Sequence, residues 1–464
     1  MSSRYDFEYV IVGAGPCGLL LAHELIKDGH SVLLLDRENS IGGCHRVRRV
    51  NGYFTEHGPR IYLTSYFTLH DVIKDLDRSW SDYFTDYISL GKIGGPVFST
   101  LNRCEIWAFF VAYIKFSFSG EWAKNTSVYE FMSNNNFSQD AIDYIDRICR
   151  LTDGADSKRY TLYEFLNLLN QNSLYSIQQP RQALDVGLFR DWENHLTKSG
   201  VKIRLGEDVE SMLDHHTINL RNGEVITAQN VYFAIPPEHM VKVLNKSFDP
   251  NMFGNFSELK RWSTKTRYLD YVPITFHWNE KINIQEKWGY PQFDWGLATV
   301  VLSDFFDKGQ ESPTLISTCL SILDKKSSLT AKTANQTIDH QELIDETFRQ
   351  LKLLYPNLPM YNKAILSPGV YHDGKSYRTK DSAFMFTKDG YWKEPSKYSN
   401  IKWIGIHEGN SPYAFTAMQS AFDNALVSLG KKVKRPWTII DVIIISILFI
   451  VVGVFSWKYG SNKN

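Results

Sequence analysis

The sequence predicts a two-domain α/β fold in which a nucleotide-binding unit is assembled from separated stretches of chain. These are interleaved with an α+β domain and followed by one C-terminal transmembrane helix. Three observations predict this. A short apolar run at 9–12 leads through Gly13, Gly15 and Gly18 into Leu19, Leu20, Ala22, Leu25 and Ile26, which repeat at helical spacing. Strand-rich stretches return at 186–250 and 396–430, each after a block of different character. Near the end, 437–457 is a 21-residue run with few polar residues.

The first stretch organises the rest. Gly13 permits a tight turn, Gly15 has no Cβ to hold a pyrophosphate away from the backbone, and Gly18 lets helix and strand pack closely. Ala14, Pro16 and Cys17 fill the loop, and the helix that follows offers free N–H groups and its positive dipole end to phosphates. A second apolar run, 31–35, ends in Asp36, about 20 residues on, where a ribose-binding carboxylate belongs. The pattern is that of a dinucleotide site.

At 464 residues the chain exceeds one ordinary core, so two domains or one elaborated domain are expected. Formal charge is zero, but Lys431 onward carries six basic residues and one acidic, which leaves 45 basic and 50 acidic residues elsewhere. A mildly acidic body argues against nucleic-acid binding. The five cysteines, Cys17, Cys44, Cys104, Cys149 and Cys319, are scattered without a CxxC pair. They indicate neither a disulfide framework nor a zinc site, and a reducing compartment fits best. The N-terminus has no basic region followed by a long apolar one, so no signal peptide is expected. No metal site is expected.

After Asp36 come Arg37, Ile41-Gly42-Gly43-Cys44-His45-Arg46 and Glu56-His57-Gly58-Pro59-Arg60-Ile61. Here the chain resembles a superfamily of flavin-dependent amine oxidases, protoporphyrinogen oxidases, phytoene desaturases and UDP-galactopyranose mutases. The resemblance implies a glutathione-reductase-type FAD-binding domain, with Gly42 and Gly43 as its second glycine element and Pro59, Arg60 and Ile61 passing close to the flavin ring. Cys44 stands where amine oxidases carry Arg, and Arg46 is the candidate to replace that phosphate contact. Arg60 stands where a mutase would have His.

From 69 to about 185 helical patterns dominate, at 127–132, 140–151 and 162–169. The aromatic-rich run 106–118 reads as a substrate wall, a membrane-dipping helix or, as the favoured reading, a buried core helix. Then 187–197 reads as a helix, 200–205 and 208–213 as strands, and Asn222-Gly223 as a hairpin turn before 224–227. A buried strand over 230–235 stops at Pro236-Pro237. This block resembles the middle segment of the superfamily, where the residue at Val209 presents its backbone to adenine.

Strands are expected at 272–278, 298–302 and 315–320, and a helix at 341–354. Amine oxidases place a Lys in the first of these strands, and 271–278 has none. The last part, a strand at 401–405 and a helix over 416–429, resembles the superfamily's closing element. Gly405, Ala417 and Met418 would lie at the cofactor, and the helix start would stabilise negative charge on reduced flavin. Ile406 and Ala417 replace the acidic and Tyr positions of amine oxidases, and Tyr413 is the candidate substitute for the latter. No Cys follows Cys319, so FAD is expected to be non-covalent.

The divisions implied are 1–68, 186–250 and 396–430 for the FAD-binding domain, 69–185 and 251–395 for the substrate domain, and 431–464 for a basic linker and anchor. Trp437 and Trp457 bound the apolar run, and Lys431, Lys432, Lys434 and Arg435 precede it. This predicts a single-pass C-terminal anchor with the body on the cytoplasmic side and Asp441 reaching the headgroups. The leading function is hydride transfer from a small-molecule substrate to flavin N5, with Arg60 and Tyr413 as candidate catalytic side chains. The anchor and the aromatic run hint at a lipophilic substrate, although anchoring also serves localisation alone. A mutase-like isomerase is the alternative, with Arg267 and Arg378 available to clamp a pyrophosphate. A binding protein that keeps FAD without turnover is the third reading.

Overall fold

The computed structural model describes residues 5–88, 99–153, 156–172, 174–265, 271–285, 288–289, 293–307, 309, 311–380, 390–411 and 418–447. Its largest sheet has seven strands drawn from three distant stretches of chain. Lys202–Leu205, Val32–Asp36, Phe7–Val12 and Val225–Phe233 run parallel in that order, and Ile401–Trp403 pairs parallel with the last of them. Val209–Met212 and Thr217–Leu220 extend the sheet as an antiparallel meander.

Both faces of the parallel part are covered, which is why its strands are continuous apolar runs rather than alternating ones. Val10, Val12, Leu33 and Leu35 point into one core and Ile11, Val32 and Leu34 into another, as the two-residue period of a strand requires. The second core is filled from the helix Pro16–Lys27, whose Leu19, Leu20, Leu21 and Ala22 are fully buried.

A second sheet of five strands is antiparallel: Trp288–Gly289, Leu297–Val301, Thr314–Leu320, Val272–Trp278 and Lys363–Leu366. The helix His340–Leu354 packs on it through Leu343, Phe348 and Leu351. A hairpin, Val47–Val50 with Tyr53–Glu56, turns at Asn51 and Gly52, both at positive φ (52° and 83°). No strand was expected there, although Asn-Gly at such a turn is the characteristic two-residue hairpin signal.

Several expectations shift. The runs at 224–227 and 230–235 are one strand, Val225–Phe233, because no turn residue separates them. Its first half pairs with Thr217–Leu220 and its second with Phe7–Val12. The aromatic run lies in the helix Arg103–Phe118, capped by the Asn102 side chain. Ala112 and Phe116 are buried, but Trp107 is 64% exposed and Phe118 77%. A helix apolar all round has more faces than the core can cover, so it is not the wholly buried helix that was favoured.

The predicted transmembrane helix and the single-pass anchored location are corrected. Among the described residues no helix is long and apolar enough to cross a membrane. The described part of the helix in this region is 439–447. Residues 448–464 lie outside the described residues. Asp441 caps the start of this helix: it accepts from the Thr438 backbone N–H at 2.8 Å and pairs with Arg435 at 2.6 Å.

Candidate functional site

The strand Phe7–Val12 delivers the first glycine loop to the end of the parallel sheet. Gly13 has φ +107°, and a Cβ there would stand 2.5 Å from the Ala234 carbonyl oxygen. A Cβ on Gly18 would fall 1.8 Å from the Gly13 oxygen, so helix and strand pack at a distance only glycine allows. The helix begins at Pro16 with no side-chain cap and no acidic residue in its first turn, which leaves its N–H groups and dipole to an anion. Cys17 donates its thiol to the Ile404 carbonyl at 3.6 Å and ties the helix start to the last strand.

The second glycine element folds onto the first. Gly42 (φ +110°) donates its N–H to the Ala14 carbonyl at 2.8 Å, and a Cβ on Gly43 would lie 2.9 Å from the Gly15 Cα. Asp36 ends its strand beside both loops. Its carboxylate accepts the Ala14 N–H at 2.7 Å and the Glu38 N–H at 2.8 Å. Burial raises its pKa despite the nearby Arg46.

Arg46, the candidate phosphate ligand, is 5% exposed. It bonds Asp36 at 3.3 Å and the carbonyls of Ser40 at 2.7 Å and Gly43 at 3.4 Å. Its geometry is that of a brace for the double-glycine loop. Arg37 lies 3.0 Å from His239 Nδ1 and 3.3 Å from the Lys380 carbonyl. Val209 is buried and opens a strand on the antiparallel side of the sheet.

The Gly58–Ile61 segment leaves the hairpin strand Tyr53–Glu56 and lies against the second sheet, with Gly58 near Cys319 and Tyr271. Arg60 donates to the Cys44 carbonyl, so its guanidinium turns back toward the double-glycine loop. Burial works against its charge, but Cys44, Tyr62 and Glu56 outweigh it and raise its pKa. Pro59 is half-buried and Ile61 is exposed.

At the third stretch, Gly405 follows Ile401–Trp403, and Met418 opens the buried helix Met418–Ser428. Tyr413 and Ala417 lie outside the described residues. His407 stacks on Trp403 at 3.8 Å, and burial lowers its pKa to about 3.

Two acidic residues had no place in the sequence-derived site. Glu408 accepts the Gly405 N–H at 3.3 Å, and burial pushes its carboxyl up to about 7. The Gly-x-x-Glu spacing of a helix start was its signal. Glu56 accepts the Ser317 hydroxyl at 2.6 Å, and burial again pushes its pKa up to about 7. No local pattern announces that pair.

These residues fit a dinucleotide. Close backbone approach at Gly13, Gly15 and Gly43, an uncapped helix start and a carboxylate at a strand end are what a pyrophosphate and a ribose need.

Comparisons agree with that geometry. Residues 11–76 match the model of an NAD(P)-binding Rossmann-like domain. A 4,4'-diapophytoene desaturase of Staphylococcus aureus is 30% identical over 83 residues, covering 18% of this chain and 16% of the relative. A UDP-galactopyranose mutase of Mycoplasma pneumoniae is 37% identical over 71 residues, covering 15% of this chain and 18% of the relative. The match thus spans less than a fifth of either relative. Among solved structures, the cyclohexylamine oxidase of Brevibacterium oxydans superposes with a TM-score of 0.60 at 12% identity, covering 92% of this chain and 98% of the other. The N-terminal segment is therefore similar to those of a desaturase and a mutase, and the fold is the one such solved oxidases share.

Proposed function

We propose that this protein is an FAD-dependent oxidoreductase that oxidises a small-molecule substrate and holds its cofactor without a covalent bond. The observation that carries the reading is the meeting of the two glycine loops beside Asp36, at 2.9 Å between a Gly43 Cβ and Gly15 Cα. Bound FAD would supply an acceptor for hydride.

Each residue's part follows from its chemistry. The N–H groups at the start of Pro16–Lys27 would receive the pyrophosphate, and Asp36 retains acceptor capacity for ribose hydroxyls. Arg46 keeps Gly43 and Asp36 in register. Arg60 and the N-terminus of Met418–Ser428 would favour negative charge on the reduced ring. Gly405, Pro59, Ile61, Ala417 and Val209 complete the proposed cofactor contacts, and Tyr413 is proposed to face the substrate. The division into 1–68, 186–250 and 396–430 against 69–185 and 251–395 belongs to the same reading. A lipophilic substrate is favoured by the likeness to a desaturase of diapophytoene.

Purified protein should be yellow, should release its flavin on acid denaturation, and should bleach anaerobically with the right reductant. A colourless protein that takes up no FAD ends the reading.

A second reading is a flavin-dependent sugar isomerase, favoured by the 37% identity to the mutase. Of the arginines offered for its pyrophosphate, Arg378 is paired with Asp373 at 3.1 Å and Arg267 lies outside the described residues. Conversion of UDP-galactopyranose only when the flavin is reduced would select it, and absence of UDP-sugar binding would remove it.

A further inference from the structure

Where the hairpin strand Tyr53–Glu56 meets the strand Ile177–Pro180, a narrow cavity of about 10 Å³ is lined by Glu56, Arg60, Tyr62, Gln179, Phe54 and Phe306. That is room for about one water. Gln179 is fully buried, and its Nε2 donates to the Arg60 carbonyl at 2.7 Å. This bond decides the amide's orientation, because the reverse would set two oxygens against each other. The Oε1 that remains has no hydrogen-bond partner among the described residues. A buried acceptor left bare costs about 1–3 kcal/mol, so a donor belongs in the cavity.

Glu56 lies on the same cavity. Its Oε1 takes the Ser317 hydroxyl at 2.6 Å, across the junction between hairpin and second sheet. The charged and titratable groups that face it are Arg60 and Tyr62 from the following segment and Cys319 from the strand Thr314–Leu320. Burial holds the Tyr62 hydroxyl and the Cys319 thiol protonated, so Arg60 is the charge that Glu56 meets.

We infer that Glu56, Arg60 and Gln179 enclose a one-water proton site, in which a buried water donates one hydrogen to Gln179 Oε1 and the other toward the Glu56 carboxylate. Its use in catalysis rests on the proposed oxidoreductase reading. In that reading Arg60 lies near the flavin, FAD would accept the hydride, and the water-bridged pair would hold the proton that the substrate must also lose: one O–H bond forms at the Glu56 carboxylate as one X–H bond of the substrate breaks. With its carboxyl near neutrality, Glu56 can accept and release a proton at ordinary pH.

Infrared difference spectra of the full-length protein across pH 5–9, wild type minus Glu56→Gln, test the site without turnover. Glu408 and Asp423 titrate in the same range but remain in both proteins, so the subtraction isolates Glu56. The expected result is a carboxylic-acid C=O band that fades with a midpoint near 7. Gln179→Leu, which removes the anchor of the water, and Ser317→Ala, which removes the hydroxyl donor, should each weaken acid dissociation at least tenfold. Ser317→Ala also serves if Glu56→Gln does not fold. No titrating band, or a midpoint untouched by both variants, overturns the proposal. With flavin bound and reducible, that result leaves the oxidoreductase reading standing; a titrating band in a protein that takes up no FAD leaves the proton site standing instead.

Discussion

Gly15 and Gly43 meet backbone to backbone, and the two positions tolerate a side chain very differently. A Cβ on Gly15 would find its nearest neighbour, the Gly43 Cα, at 3.6 Å, an ordinary contact. A Cβ on Gly43 would lie at 2.9 Å from Gly15, and its φ of +55° is strained for alanine. Gly15→Ala should therefore keep the wild-type melting temperature and lose cofactor affinity at least tenfold. Gly43→Ala should lose affinity and about 1–3 kcal/mol of stability as well. Thermal melts with and without added FAD read both effects, and equal melting temperatures for the two variants would refute the contrast.

Asp36 and Arg46 form a buried pair at 3.3 Å, with Arg46 5% exposed. Removing one partner strands the other charge. Asp36→Ala is expected to destabilise the protein by about 3–5 kcal/mol even without cofactor. Urea denaturation of the cofactor-free protein measures this. A change under about 0.5 kcal/mol would show that Asp36 serves ligand binding alone.

Asp423 is fully buried and accepts Ser411 Oγ and Gln419 Nε2, both at 2.6 Å. Burial raises its carboxyl from the ordinary 3.8 to about 7. A raised folded-state pKa means stability is fully present below pH 3.8 and is lost as pH rises through about 7. The loss is at most about 4 kcal/mol, at roughly 1.4 kcal/mol per pH unit. Asp423→Asn, which resembles the neutral acid, should flatten this decline and melt higher than wild type at pH 8. Parallel melting curves across pH 5–8 would rule it out.

The hairpin and the second sheet are joined through polar contacts. His277 Nε2 donates to the Phe54 carbonyl at 2.9 Å and its Nδ1 accepts from Ser312 Oγ at 2.9 Å, while Thr275 donates to Thr55 at 3.1 Å. Burial lowers the His277 pKa to about 4, so the ring is neutral at pH 7. Its contribution is intact above the unfolded value near 6.5 and fades as pH falls through about 4. His277→Leu leaves the Phe54 carbonyl bare and should cost about 1–3 kcal/mol, with a shallower acid limb in the pH–stability profile. An unchanged acid limb would count against the buried neutral ring.

The glycine loop and Asp36 were legible because their information is local: strand, turn and helix start lie within one short span, and each glycine answers a backbone need there. The strands on either side of that loop were also readable from apolar runs. The hairpin at Asn51-Gly52 carried a local signal that was passed over.

What only the tertiary structure decided depends on contacts that no window of sequence contains. Glu56 and Ser317 are 261 positions apart, and their pairing exists because the hairpin packs against the second sheet. Arg46 was a candidate phosphate ligand by sequence, and only the fold shows its guanidinium also bonded to Ser40, Gly43 and Asp36. The apolar end of the chain shows the same limit from the other side. Among the described residues no helix there is long and apolar enough to cross a membrane. Local chemistry was therefore written in the order of the residues, and charge, burial and partnership were settled by what folding placed beside them.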